Sequence, residues 1–289
     1  MKSPVIVIVG ATASGKSNLA IDLAEKFSGE IINADSWAVY KNFNIGTATP
    51  SLAERRGIQH YLLDVADPAL GFSAAEFKKL AKEAIENISS RGKLPIIVGG
   101  TGLYIDSLIY DYSFLPPSSN EERQYLESLS LKQLKDMCDD LGYDTERIDL
   151  NNKRRVIRFL ENHGVFPTSK PLEDNILILG IKISLEKLRE NIEHRTEKMI
   201  KLGLEDEVRN LVIEYGWDIE PMKGIGYREF KDYFDNIINK QELIERINKD
   251  TIKLVKKQKT WFGRNKSIQW YDNGYQFVDS VTTFMNKFN

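Results

Sequence analysis

The sequence predicts an α/β fold, a parallel sheet covered by helices on both faces, with a mainly helical insertion. Three observations carry that expectation. Short, near-continuous apolar runs recur at 5–9, 94–98 and 176–183, as in strands buried on both faces of a parallel sheet. Runs with helical period lie between them, for instance 74–90 and 185–202, as alternating βα units require. A glycine-bearing loop, Gly10-Ala11-Thr12-Ala13-Ser14-Gly15-Lys16-Ser17, joins the first apolar run to the first helical one.

The first strand, Val5-Ile-Val-Ile-Val9, is β-branched throughout, a composition that suits a pleated surface. The loop after it fits the P-loop pattern G-x-x-x-x-G-K-[S/T]. Such a loop aims several backbone N–H groups at one point, where the dipole of the next helix also favours phosphate. Lys16 adds a charge, and the Ser17 hydroxyl can hold magnesium. Residues Gly10 to Ser17 are therefore the candidate phosphate binders, for ATP or another phosphorylated molecule. The helix that follows places Leu19, Ala20, Leu23, Ala24 and Phe27 on one face. A second strand, 30–34, ends at Asp35, and the strand 94–98 ends at Gly99-Gly100-Thr101-Gly102. A weaker strand lies at 267–271. Open parallel sheets bind ligands beyond the carboxyl ends of their strands, which groups Asp35 and Thr101 with the loop. Asp35 can be a magnesium ligand, a general base or a helix N-cap. Thr101 can donate to a phosphate oxygen or belong to a tight turn. P-loop nucleotidases often carry a Walker-B Asp at such a strand end, whereas here no acid follows before Asp106.

The 289 residues are 42% hydrophobic, enough for one large domain plus an insertion. A net charge of −2 excludes nucleic-acid binding by bulk charge and leaves local patches. Cys138 is the only cysteine, so no disulfide forms within the chain, and three scattered histidines give no zinc cluster. No apolar run approaches the length of a membrane span. The chain reads as a soluble, cytoplasmic protein with no membrane partner, and a monomer is expected. Pro116-Pro117 breaks the βα rhythm. The expected division is a P-loop α/β core at 1–115 and 153–289, with a helical C-terminal region over 205–262, and a helical insertion at 116–152. Positions 118–150 carry nine acids and four bases. Lys153-Arg154-Arg155-Val156-Ile157-Arg158 is a basic patch in which Arg154 and Arg158 share a helix face. It is either a phosphate grip or a solvated face. Positions 246–266 hold eight bases and one acid, with Trp261 and Phe262 among them. Those rings either stack on RNA bases or belong to the core.

In this order the motifs closely resemble the bacterial tRNA dimethylallyltransferases, also called tRNA isopentenyl transferases. The resemblance rests on GATASGKS at 10–17, ADSWAVYK at 34–41, NIGTATPS at 44–51, HYLLDVADP at 60–68 and VGGTGLY at 98–104. It continues with NNKRRVIRFLE at 151–161, MIKLGLEDEV at 199–208, GIGYREF at 224–230 and KKQKTWF at 256–262, and so spans nearly the whole chain. It implies transfer of a dimethylallyl group from dimethylallyl diphosphate to the exocyclic amine of the adenosine just 3′ of the anticodon, releasing diphosphate. It implies that the loop holds this diphosphate rather than ATP, with Mg2+ at Ser17. Asp35 and Thr101 are implied as catalytic, Asp35 taking the amine proton and Thr101 donating to the leaving oxygen or holding the diphosphate. The implied partner is the tRNA anticodon stem-loop, met by Asp35, Ser36, Trp37, Ala38, Thr101, Arg123, Arg154, Arg155, Val156, Ile157 and Arg158. Its target base leaves the stack. The chain departs from the family pattern where Ala38 replaces a common Gln and Trp37 a common Met. Asp149-Leu-Asn-Asn152 stands for a His-Pro-Asn-Asp run, and Gly263 for a base. Two rival readings of the residues are a small-molecule or nucleotide kinase on the same fold, and an RNA-binding switch without transferase activity.

Overall fold

The computed structural model describes residues 3–116, 118–272 and 274–288. Pro117, half of the Pro116-Pro117 signal, lies outside them. The chain divides into two compact units, Met1–Ile109 with Leu172–Asn289, and Tyr110–Pro171. The first begins with β1 (Val5–Val9), α1 (Lys16–Phe27), β2 (Gly29–Asn33), β3 (His60–Tyr61), α2 (Ala74–Ser90), β4 (Leu94–Gly99) and α3 (Gly102–Ile109). The second holds α4 (Asn120–Ser128), α5 (Leu131–Asp140) and α6 (Lys153–Glu161). The first resumes with β5 (Ile176–Ile181), α7 (Leu185–Lys201), α8 (Leu204–Tyr215), α9 (Phe230–Phe234), α10 (Lys240–Phe262), β6 (Gln269–Tyr271) and α11 (Gly274–Met285).

All six strands pair in parallel, in the order β3-β2-β4-β1-β5-β6. β1 lies inside the sheet and is buried at every position, which is why it reads as an unbroken β-branched run. Ile6 and Ile8 pack with Ala20, Ile21, Leu23 and Ala24 of α1. Each fully buried isoleucine or leucine among them contributes about 2 kcal/mol of apolar burial. Ser73 and Glu76 close a capping box at the start of α2, whose buried face is Phe77, Ala81, Ala84 and Ile88. Register then sets the site. Val9 pairs with Gly99 and Asn33 with Val98, so β1, β2 and β4 end level and their following loops meet.

All five expected strands are present, β1 with the expected bounds and the other four with ends shifted by one or two residues. β3 is an addition, since two residues are too short for any period to be read. The stretch 205–262 is not one helical run. Gly216, with φ 74°, ends α8, a 3₁₀ turn at Glu220–Lys223 carries Pro221, and a capping box on Asn239 restarts the chain as α10. The second unit is wider than 116–152, because α6 belongs to its core. Val156, Ile157, Phe159 and Leu160 pack with Leu126, Leu134 and Cys138. Its two chain ends are tied by Ser113 N–H to the Thr168 carbonyl at 2.9 Å and Lys170 N–H to the Tyr110 carbonyl at 2.7 Å. Among the described residues, no helix is long and apolar enough to cross a membrane.

Candidate active site

Gly15 sits at φ 87°, a left-handed conformation that glycine adopts without strain, and α1 starts at Lys16 with no side-chain cap. The first N–H groups of α1 are thus left for a ligand. The loop is braced from two distant helices. Asn191 of α7 donates to the Ala13 carbonyl at 2.9 Å, and Gln258 of α10 accepts from Thr12 N–H at 2.8 Å. Gln258 also donates to the Gly100 carbonyl at 3.0 Å. A Cβ at Gly100 or Gly102 would strike Gln258 or Trp261, so this glycine run exists to let α10 approach the end of β4.

Lys16 Nζ donates to the Ala11 carbonyl at 3.2 Å. Burial pushes its pKa down to about 8, opposed by the Asp35 carboxylate and reinforced by the Arg195 guanidinium. Arg195 is likewise depressed by burial, with Asp35 acting against the shift. Its guanidinium donates to Thr12 Oγ1 at 2.7 Å and to the Thr47 carbonyl at 3.3 Å. Two half-buried cations therefore face one nearby carboxylate, an imbalance that suits an anion. Asp35 Oδ1 accepts from Trp37 N–H at 2.9 Å, an Asx-type turn that aims the carboxylate. Thr101 Oγ1 accepts from Ser36 N–H at 3.0 Å and donates to Ser36 Oγ at 3.2 Å.

Two cavities meet here. A polar one is lined by Gly15, Lys16, Ser17, Asp35, Ala38 and Thr49, among others. A largely apolar pouch is lined by Trp37, Ile192, Met199, Ile225, Ile247 and Leu254. Thr12, Asp35, Thr47 and Arg195 belong to both, so the carboxylate stands at the junction. Ser17 is exposed on the polar side, and the described residues contain no cluster of three His, Cys, Asp or Glu. Magnesium commonly takes one or two protein oxygens and completes its shell with phosphate and water. One serine beside a diphosphate fits that donor set.

Asp35 lines the loop's cavity as the sequence suggests, while Thr101 is tied to Ser36 and neither of these two lines either cavity. Sequence reasoning missed Arg195 and Gln258. Ala38 is 5% exposed and lines the polar cavity, so its methyl faces the phosphate side and not an open surface. Phe262 is buried, and Trp261 donates its indole N–H to Asp106 at 2.8 Å. These rings are structural, which leaves the basic outward face of α10, with Lys249, Lys253, Lys256, Lys257 and Lys259 exposed.

In the second unit, Val156 and Ile157 are 0% and 2% exposed. They fill its core, because helix period turns them opposite the arginines, and their side chains are out of reach of RNA. Arg158 bonds Glu161 and the Leu115 carbonyl. Arg123 bonds Glu127 and Glu161 at 2.7 and 3.1 Å. Arg155 is exposed, 4.0 Å from Asp149.

Fold and site define a P-loop α/β protein in which the loop's polar cavity adjoins an apolar pouch, with a carboxylate between them. Comparison with known proteins makes this particular. The IPP transferase family profile matches residues 38–266. A tRNA dimethylallyltransferase of Anoxybacillus flavithermus is 41% identical over 283 residues, 94% of this chain and 91% of that protein. The crystal structure of a tRNA isopentenylpyrophosphate transferase from Bacillus halodurans covers 99% of this chain and 96% of its own, at 32% identity and TM-score 0.76. A eukaryotic dimethylallyltransferase crystallised acting on tRNA covers 94% of this chain and 74% of its own, at 28% identity and TM-score 0.80. The chain belongs to the IPP transferase family of tRNA dimethylallyltransferases. Its activity is transfer of a dimethylallyl group to tRNA.

Proposed function

We propose that dimethylallyl diphosphate binds with its diphosphate on loop 10–17 and its five-carbon chain in the apolar pouch. The target is the adenosine 3′-adjacent to the anticodon. The observation that carries this reading is the junction, where a cation-rich polar cavity and an apolar pouch share Asp35 and Arg195. An ATP-dependent kinase needs the first cavity and an acceptor pocket suited to a polar hydroxyl or phosphate compound, which a largely apolar pouch does not offer.

The exocyclic amine nitrogen attacks C1 of the dimethylallyl group. The C1–O bond breaks, and its electron pair leaves with the diphosphate. Asp35 orients the amine and takes the proton it loses. Lys16, Arg195 and the free N–H groups of α1 meet the charge that develops on the leaving oxygens. Thr101 holds the Asp35-Ser36 turn, and by exchanging Ser36 Oγ for a phosphate oxygen it donates to the leaving group. Ser17 is the residue that would hold Mg2+, which when bound neutralises diphosphate charge. Ser36 and Trp37 adjoin the base, while Arg123, Arg154, Arg155 and Arg158 grip the anticodon stem-loop through its phosphates. The enzyme acts in the cytoplasm, where its tRNA is.

Incubation with magnesium, labelled dimethylallyl diphosphate and unmodified tRNA tests the reading. Label is expected on the adenosine beside the anticodon, and ATP is not expected to replace the donor. No transfer, or phosphorylation of a small molecule by ATP, would overturn it.

A further inference from the structure

Three segments far apart in sequence converge beside Arg195 on one carboxylate. Glu207 of α8 accepts from three consecutive backbone N–H groups. Oε2 takes Asn44 at 3.1 Å and Ile45 at 2.7 Å, and Oε1 takes Gly46 at 3.0 Å. Oε1 also accepts from Tyr227 Oη at 2.8 Å. Tyr227 is 1% exposed and packs against Phe43 with ring centroids 4.9 Å apart and planes tilted by 55°. A Cβ at Gly46 would lie 2.5 Å from its ring, so loop 44–47 is pressed between the carboxylate and the phenol. The loop continues to Thr47, whose hydroxyl donates to the Phe43 carbonyl at 2.6 Å and whose carbonyl accepts from Arg195. Arg195 in turn reaches Thr12 of the P-loop. The residues that follow, Thr47 to Pro50, line the polar cavity.

A scaffold contact alone does not require this arrangement. Three adjacent N–H groups converging on one anion fix both the position and the direction of a short loop. The loop's next carbonyl then fixes the half-buried Arg195 guanidinium, which also donates to Thr12. Burial also raises the Tyr227 pKa far above its ordinary value, so the phenol remains a donor.

The geometry points to Glu207 as a positioning residue. It acts through loop 44–47 to set the Arg195 guanidinium at the diphosphate cavity, without touching substrate. The inference rests on the diphosphate reading of the P-loop site. Glu207→Gln replaces one acceptor oxygen by an NH2 group, leaving at least one loop N–H facing a donor.

The test measures steady-state constants with both substrates, tRNA affinity and Tm for E207Q, R195A and the double variant, with K16A as reference. E207Q is expected to raise KM for dimethylallyl diphosphate about tenfold while tRNA affinity stays within about twofold. In the R195A background, E207Q is expected to add far less than it does alone, since both act on one group. Y227F, which keeps the three loop bonds, is expected to raise the same KM about twofold, and it carries the test if E207Q does not fold. Unchanged KM in either variant despite a lower Tm, or full additivity with R195A, overturns the inference. If K16A also leaves KM unchanged, the diphosphate reading itself has failed, and the two failures are thereby told apart.

Discussion

The sheet of the first unit gathers charge at both ends, and the two clusters are built on opposite terms. At the amino end of β2, Glu30 is 3% exposed and fully matched. Arg91 bonds both of its oxygens, Lys93 reaches it at 2.6 Å and the Tyr61 hydroxyl at 2.9 Å. The Arg91 hydrogen bond is foremost in holding its pKa at about 2. At the carboxyl ends, Lys16 and Arg195 share one carboxylate, and burial depresses both. The first cluster is complete and serves stability. The second is short of negative charge, which on the proposed reading the substrate's diphosphate supplies. Within one domain, the degree to which charge is matched separates scaffold from site.

Variants can break this contrast. The largest effect is expected for Asp35→Asn, which keeps the shape of the turn but removes the proton acceptor. Turnover should fall about a hundredfold to ten-thousandfold, while diphosphate affinity and Tm hold. Normal turnover would reduce Asp35 to a turn-former, and weakened, metal-sensitive diphosphate binding would make it a magnesium ligand. Next comes Lys16→Ala, with a loss of about a hundredfold in kcat/KM for dimethylallyl diphosphate and no loss of stability, because a poorly matched half-buried charge is removed.

Glu30→Gln should do the reverse. It should lower stability by about 2 kcal/mol and leave the specific activity of folded protein unchanged. The sign follows from the lowered pKa. Glu30's contribution is present above its ordinary pKa of 4.5 and is lost as pH falls toward about 2. Acid titration of wild type and variant by circular dichroism checks this: the stability gap should close as pH falls from 4.5 toward about 2, and curves that already coincide above pH 4.5 would remove Glu30 from the scaffold. The smallest effect is expected in the second unit. Arg154→Ala with Arg158→Ala should weaken tRNA binding and flatten its salt dependence, leaving dimethylallyl diphosphate affinity unmoved. An unchanged salt slope would make the patch a solvated face.

The legible parts of the site are those that local sequence encodes. The P-loop is one contiguous motif, and Asp35 and Thr101 announce themselves as polar residues directly after apolar strands. Arg195 and Gln258 bind the loop from 183 and 246 residues away, and each is a single polar residue in a charged helix. Their signal was present but faint. Arg195 lies among Ile192, Thr196 and Met199, and Gln258 between Val255 and Phe262, so each interrupts the buried stripe of its helix. A polar residue on an apolar stripe needs a partner, and here the partner is the P-loop. Strands were readable because burial on both faces leaves an unbroken run. The unit boundary was not, because α6 shows a basic face to solvent and its role in the second core appears only once α4 and α5 are in place.

The central claim is that the unmatched positive charge at the strand ends is completed by diphosphate. Proton uptake on binding tests it most directly. Burial holds the Lys16 pKa down, to about 8, in the free protein, and an arriving anion should raise it again. Calorimetric titration of dimethylallyl diphosphate at pH 8, in buffers of differing ionisation enthalpy and constant magnesium, should show net proton uptake on binding. That uptake should vanish in Lys16→Arg. Binding that takes up no proton, or an uptake that persists in Lys16→Arg, would contradict the account.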